Sequence, residues 1–96
     1  MKSRLPPHRL YPLSPSWIPY QLANDAIVTI SIYNIKGQLV RTLRLGNKKA
    51  GTYITKSGAA YWDGKDATGE AVSSGIYFYQ IKAGEFSATR KMLMVK

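Results

Sequence analysis

The chain has 96 residues and no cysteine, and its fourteen Lys plus Arg against five Asp plus Glu give a net charge of +9 with 45% hydrophobic residues. That length supports one core and excludes two domains, the lack of thiols excludes disulfide staples, and the apolar share excludes wholesale disorder. The cation excess makes an anionic polymer a candidate ligand, although the basic residues are spread along the chain and no run exceeds two.

Residues 1–16 carry Pro6, Pro7, Pro12 and Pro15 and read as an extended, Pro-rich tether, with the domain proper over 17–96. Met1-Lys2-Ser3-Arg4 is followed by Leu5-Pro6-Pro7-His8-Arg9, where a signal peptide needs an apolar stretch. No later run reaches the length of a membrane span, so the chain is expected to be soluble, and to be a segment of a longer precursor if it works outside the cell. Residues 17–22 alternate, with Ile18, Tyr20 and Leu22 on one face, and Pro19 confines that strand to an edge.

After the Asn24-Asp25 turn, residues 26–34 alternate most clearly, with Val28, Ile30 and Ile32 on one face and Thr29, Ser31 and Tyr33 on the other. Asn34-Ile35-Lys36-Gly37 predicts a hairpin loop, and 38–45 a return strand in which Leu39, Leu43 and Leu45 share a face with Arg41 while Val40 points away. Either Arg41 lies at an open rim or a bulge shifts the register. A polar loop over 46–51 leads to two short strands, 52–55 and 59–62; the last two, 76–83 and 86–95, are joined by a tight turn at Gly84-Glu85. Seven short strands with regular turn signals and no helical period predict an all-β, antiparallel sandwich.

The stretch 61–79 organises the chain: Trp62, Asp63, Gly64, Asp66, Gly69, Gly75, Tyr77 and Tyr79 form a β-loop-β unit with aromatics at its ends and glycines at its turns. Trp62, Tyr53, Tyr77 and Tyr79 are expected in the core, and Tyr33, Phe78 and Trp17 are the better exposed aromatics for stacking on a ligand.

Three kinds of chemistry can be weighed. The sole histidine, His8, lies in the tether, and Ser73-Ser74 lacks the strand-turn-helix setting of a nucleophile elbow, so no enzymatic activity is expected. No cofactor motif is present. Asp63, Asp66 and Glu70 could offer oxygens to calcium, but they lack the acidic density of a calcium loop and Lys65 sits among them. The favoured reading is that these carboxylates accept backbone amides and shape turns.

The series from Val28 to Leu43, then Ala50-Gly51-Thr52-Tyr53, Trp62-Asp63-Gly64-Lys65-Asp66, Gly69, Gly75-Ile76-Tyr77-Phe78-Tyr79 and Thr89-Arg90-Lys91-Met92 resembles the immunoglobulin-like domain of the flagellar hook-capping protein. It is equally similar to the C-terminal sorting domains of bacterial type IX secretion substrates. The segment 12–22 is similar to the lead-in that precedes such domains, with Leu13-Ser14 where Phe-Asn is usual. The resemblance implies a seven-stranded Ig-like sandwich at the C-terminal end of a longer exported protein, secreted or at the cell surface. It also implies a non-catalytic sorting or anchoring module recognised by secretion or surface-assembly machinery. Its candidate recognition strand is Arg90, Lys91, Met92, Leu93, Met94, Val95 and Lys96. The alternatives are an assembly domain of the hook-capping type and a basic adhesive module for anionic polymers.

Overall fold

The computed structural model describes residues 2–5, 16–54 and 58–94, as an all-β sandwich of eight strands. These are β1 (Ser16–Ile18), β2 (Tyr20–Leu22), β3 (Ala26–Asn34), β4 (Leu39–Lys48), β5 (Gly51–Tyr53), β6 (Ala60–Trp62), β7 (Gly75–Ala83) and β8 (Phe86–Met94). One layer is a four-stranded antiparallel sheet in the order β4-β3-β7-β8; β1 pairs with β6 and β2 with β5 to supply the other. No helix among the described residues is long and apolar enough to cross a membrane.

The eighth strand comes from Pro19. The expected strand 17–22 breaks there, because proline has no N–H for a ladder. Ile18 then partners Ala60, while Tyr20 partners Tyr53. The alternation survives the break: Ile18, Tyr20 and Leu22 are all fully buried. Residues 2–5, within the expected tether, lie along β2. Arg4 and Gln21 exchange backbone hydrogen bonds at 2.9 Å each, Ser3 Oγ accepts the Ala23 amide at 2.8 Å, and Leu5 enters the core at 3% exposure.

The core follows from period-two patterning in β3 and β7. Val28, Ile30 and Ile32 face Ile18, Tyr20, Leu22 and Trp62 across the sandwich, joined by Tyr77, Tyr79 and Ile81. Each such aliphatic side chain contributes about 1.5–3 kcal/mol of burial free energy. The hairpin from β3 to β4 is closed by Asn34, whose Oδ1 accepts the amides of Lys36 and Gln38, with Gly37 at φ 81°.

In β4 the register shifts twice, at Val40 and at Leu45, where each residue is the extra one opposite β3. The expected leucine face is therefore corrected: Leu39 is 58% exposed, Val40 packs against the core, and Leu43 is buried. The strand also runs on to Lys48, through what was expected as a loop.

Candidate functional site

The loop from β6 to β7 is built around Trp62. Its ring is fully buried, its Nε1 donates to the Lys65 carbonyl at 2.9 Å, and it meets Tyr77 edge-on with centroids 5.7 Å apart. The Tyr77 hydroxyl donates to the Ser73 carbonyl four residues upstream at 2.7 Å, fixing the entry to β7 as the tyrosine corner does in immunoglobulin folds. Tyr79 is also buried, and Tyr53 is half-buried and stacked on Tyr20, with centroids 4.7 Å apart.

The carboxylates of this loop hold turns. Asp63 Oδ1 accepts the Lys65 amide at 3.0 Å and the Arg41 guanidinium at 2.9 Å. Asp66 Oδ1 accepts the Thr68 amide, the Thr68 hydroxyl and the Glu70 amide at 2.7–3.0 Å. Gly64 and Gly69, at φ 76° and 90°, supply backbone that other residues adopt only with strain. The Thr68 hydroxyl, followed by the Glu70, Thr68 and Gly69 amides, holds the Asp66 carboxyl below its ordinary 3.8. At Asp63 desolvation works upward, but the Lys65 amide and Arg41 outweigh it and the net shift is downward. Glu70 is exposed, and among the described residues no three His, Cys, Asp or Glu side chains come together as a metal-ligating group.

Beside this loop an open cleft of about 560 Å³ lies against the Asn34–Gln38 turn, with Asp66, Thr68, Ser73 and Tyr77 in its wall. Its polar groups are engaged with one another: Asn34 Nδ2 donates to Gln38 Oε1 at 2.9 Å, and Asp66 and Tyr77 are bonded as described. His8 lies outside the described residues.

The proposed recognition strand divides between two faces. Met92 and Met94 are buried in the core at 2% and 0% exposure. Arg90, opposite the inward Tyr79, reaches across the rim to donate to the Leu5 carbonyl at 3.2 Å. Lys91 and Leu93 occupy the outward positions of β8, and Val95 and Lys96 lie outside the described residues. The aromatics expected as exposed, Trp17, Tyr33 and Phe78, are half-buried; Trp17 packs on Tyr61 at 4.7 Å.

Residues 14–86 match the model of the FlgD Ig-like domain. The chain belongs to that family. Its fold is similar to the crystal structure of FlgD from P. aeruginosa, with a TM-score of 0.61 and 22% identity over 83% of this chain. The chain spans 65% of that structure's length. A search of curated proteins gives no match. Within this FlgD-like sandwich, Arg41 is the residue for which sequence reasoning gave a rim position or a bulge, both of which the structure has, but no partner. It sits on the inward side of β4, opposite Ile32, and reaches Asp63 and the Lys65 carbonyl at 2.9 and 3.0 Å. The signal was a cation interrupting an apolar face, but its partner lies 22 positions away.

Proposed function

We propose that this chain is a non-catalytic assembly module of the hook-capping type, carried by a longer exported protein and acting through protein–protein contacts. The observation that carries this is the family match over residues 14–86. The loop chemistry supports it: the carboxylates and tyrosines that could have formed a reactive centre are engaged in holding turns, which leaves the rigid sheet surfaces as working parts. The sorting reading rests on the last strand, in which Met92 and Met94 are core residues, so a receptor would have to read its free edge or the chain end.

The test replaces residues 16–94 with an unrelated β-sandwich in the protein that carries them, followed by native sizing and by assay of export. Loss of assembly with export retained is the expected result. Lost export with assembly intact would favour sorting, and no change in either would overturn both.

A further inference from the structure

The outer face of the four-stranded sheet has a composition that neither the core nor the loops require. Its strands contain no Asp or Glu, and six cations: Arg41, Arg44, Lys48, Lys82, Arg90 and Lys91. Arg41 and Arg90 are used at the rims, on Asp63 and on the Leu5 carbonyl. Arg44 and Lys82 both flank Thr29, and Lys91 flanks Phe78; all three are exposed and none is in an ion pair, the sole pair among the described residues being Arg41–Asp63.

The far end of the same face is apolar apart from Lys91. Tyr33 lies between Leu39 and Phe78, and Ile76 lies beside Leu93. Leu39 and Ile76 are 58% and 36% exposed, and Ile35 in the adjoining turn is 69% exposed. Between the two ends runs an uncharged row, Thr42, Ser31, Gln80 and Thr89.

We infer that this face docks a partner protein presenting an apolar side chain flanked by carboxylates, the apolar group seating on Tyr33, Phe78, Leu39 and Ile76 and the carboxylates meeting Lys91, Lys82 and Arg44. This rests on the assembly reading above and names its surface and partner class. An aromatic and aliphatic patch bordered by polar and charged side chains has the ingredients of a protein interface. The charge selects the occupant. A second copy would bring a sheet face whose strands hold no carboxylate to answer Lys91, Lys82 and Arg44, on a chain already at +9. A single nucleic-acid strand needs a run of cations alongside its stacking rings, yet only Lys91 stands beside them, while Arg44 and Lys82 sit four residues along β3 from Tyr33, roughly 13 Å at strand rise. An acidic protein surface of ordinary size, about 800 Å² per partner, spans both ends at once.

The experiment titrates the isotope-labelled chain with three probes, reading backbone amide shifts: a Glu-rich peptide carrying Trp and Leu, poly-glutamate, and oligothymidylate. The expected result is that the Trp/Leu peptide binds tightest, with shifts clustered on Tyr33, Leu39, Ile76, Phe78, Lys91 and Leu93. Binding should weaken about tenfold or more, the equivalent of about 1.4 kcal/mol, in the Lys82→Glu/Lys91→Glu variant. The exposed Leu39→Ser change should weaken it without unfolding the chain. Shifts elsewhere, no binding, equal binding of poly-glutamate, or tighter binding of oligothymidylate would overturn the inference. In the parent protein, assembly lost on domain replacement but kept in the charge-reversed Leu39→Ser variant sinks this surface and spares the assembly reading. Assembly that survives domain replacement sinks the assembly reading itself.

Discussion

Arg41 and Asp63 join the two layers of the sandwich at its rim: the guanidinium leaves the inward side of β4 and meets the carboxylate just after β6 at 2.9 Å. Both side chains are about a third exposed, so their mutual attraction is screened. A double-mutant cycle of Arg41→Ala and Asp63→Ala should give a coupling of about 0.2–1 kcal/mol by urea denaturation. Each single change should cost more than the coupling, because each also breaks a bond to the Lys65 backbone. A coupling near zero would mean that the ion pair itself adds nothing and that packing and the bonds to Lys65 hold the layers together here.

The acid limb of stability should report Asp63 and Asp66. Both carboxyls are held below their ordinary 3.8, so the folded state binds fewer protons than the unfolded state as pH approaches that value. Their contribution is fully present above 3.8 and is lost as pH falls through the lower folded values. Asp66→Asn should flatten this acid loss in a melting series between neutral pH and about pH 3, since the amide does not titrate. An unchanged slope would mean that other groups carry the acid transition.

The alkaline limb has the opposite origin. Burial, helped by Tyr53, pushes the Tyr20 hydroxyl up to about 12 from 10.0, and the hydroxyl finds no hydrogen-bond partner among the described residues. The folded state then keeps its proton where the unfolded state has lost it. Stability is full below pH 10 and falls as pH rises toward 12, by up to about 2–3 kcal/mol. Tyr20→Phe should remove much of that loss and stabilise the domain by about 1 kcal/mol at neutral pH, because an unpaired buried hydroxyl is deleted. Destabilisation at neutral pH would show that the hydroxyl has a partner.

Where side chains repeat with period two, the sequence made the fold plain: Val28, Ile30 and Ile32 lie inward as read, and Gly84-Glu85 makes the turn. The same period applied to the last strand would have set Met92 and Met94 inside with Arg90 at the rim, which composition alone concealed. Other features had only part of a local signature. Pro19 marks an interruption, but nothing near it tells that the partner changes from β6 to β5. A cation on the apolar face at Arg41 hinted at a bulge, but the two at Val40 and Leu45, which bring Val40 inward in place of Leu39, arise from pairing with β3. Leu5 looks like part of a tether until Arg4 pairs with Gln21. The outer face of the sheet emerges only when four separated strands are laid side by side.

Trp62 is the largest fully buried side chain, and its indole N–H and its ring are both satisfied, by the Lys65 carbonyl and by Tyr77. Trp62→Ala should cost about 3–5 kcal/mol, a large share of the stability of a domain this small. Circular dichroism at 37 °C should show a largely unfolded variant. Retention of the cooperative transition within about 1 kcal/mol would mean that the core closes around the gap.

Two glycines should answer the same substitution with opposite signs. Gly69 stands at φ 90° with nothing within 4 Å of the place a Cβ would take, so Gly69→Ala meets no clash and incurs only the left-handed backbone penalty of about 1–2 kcal/mol. Gly58 is not in that region, and a Cβ there would touch Tyr53 Cα at 3.4 Å, an ordinary contact. Gly58→Ala should therefore stabilise by about 0.4–1 kcal/mol, by narrowing the unfolded ensemble. Melting temperatures of the two variants should move in opposite directions. A loss at Gly58 equal to that at Gly69 would show that steric crowding by Tyr53, and not backbone conformation, decides the outcome at Gly58.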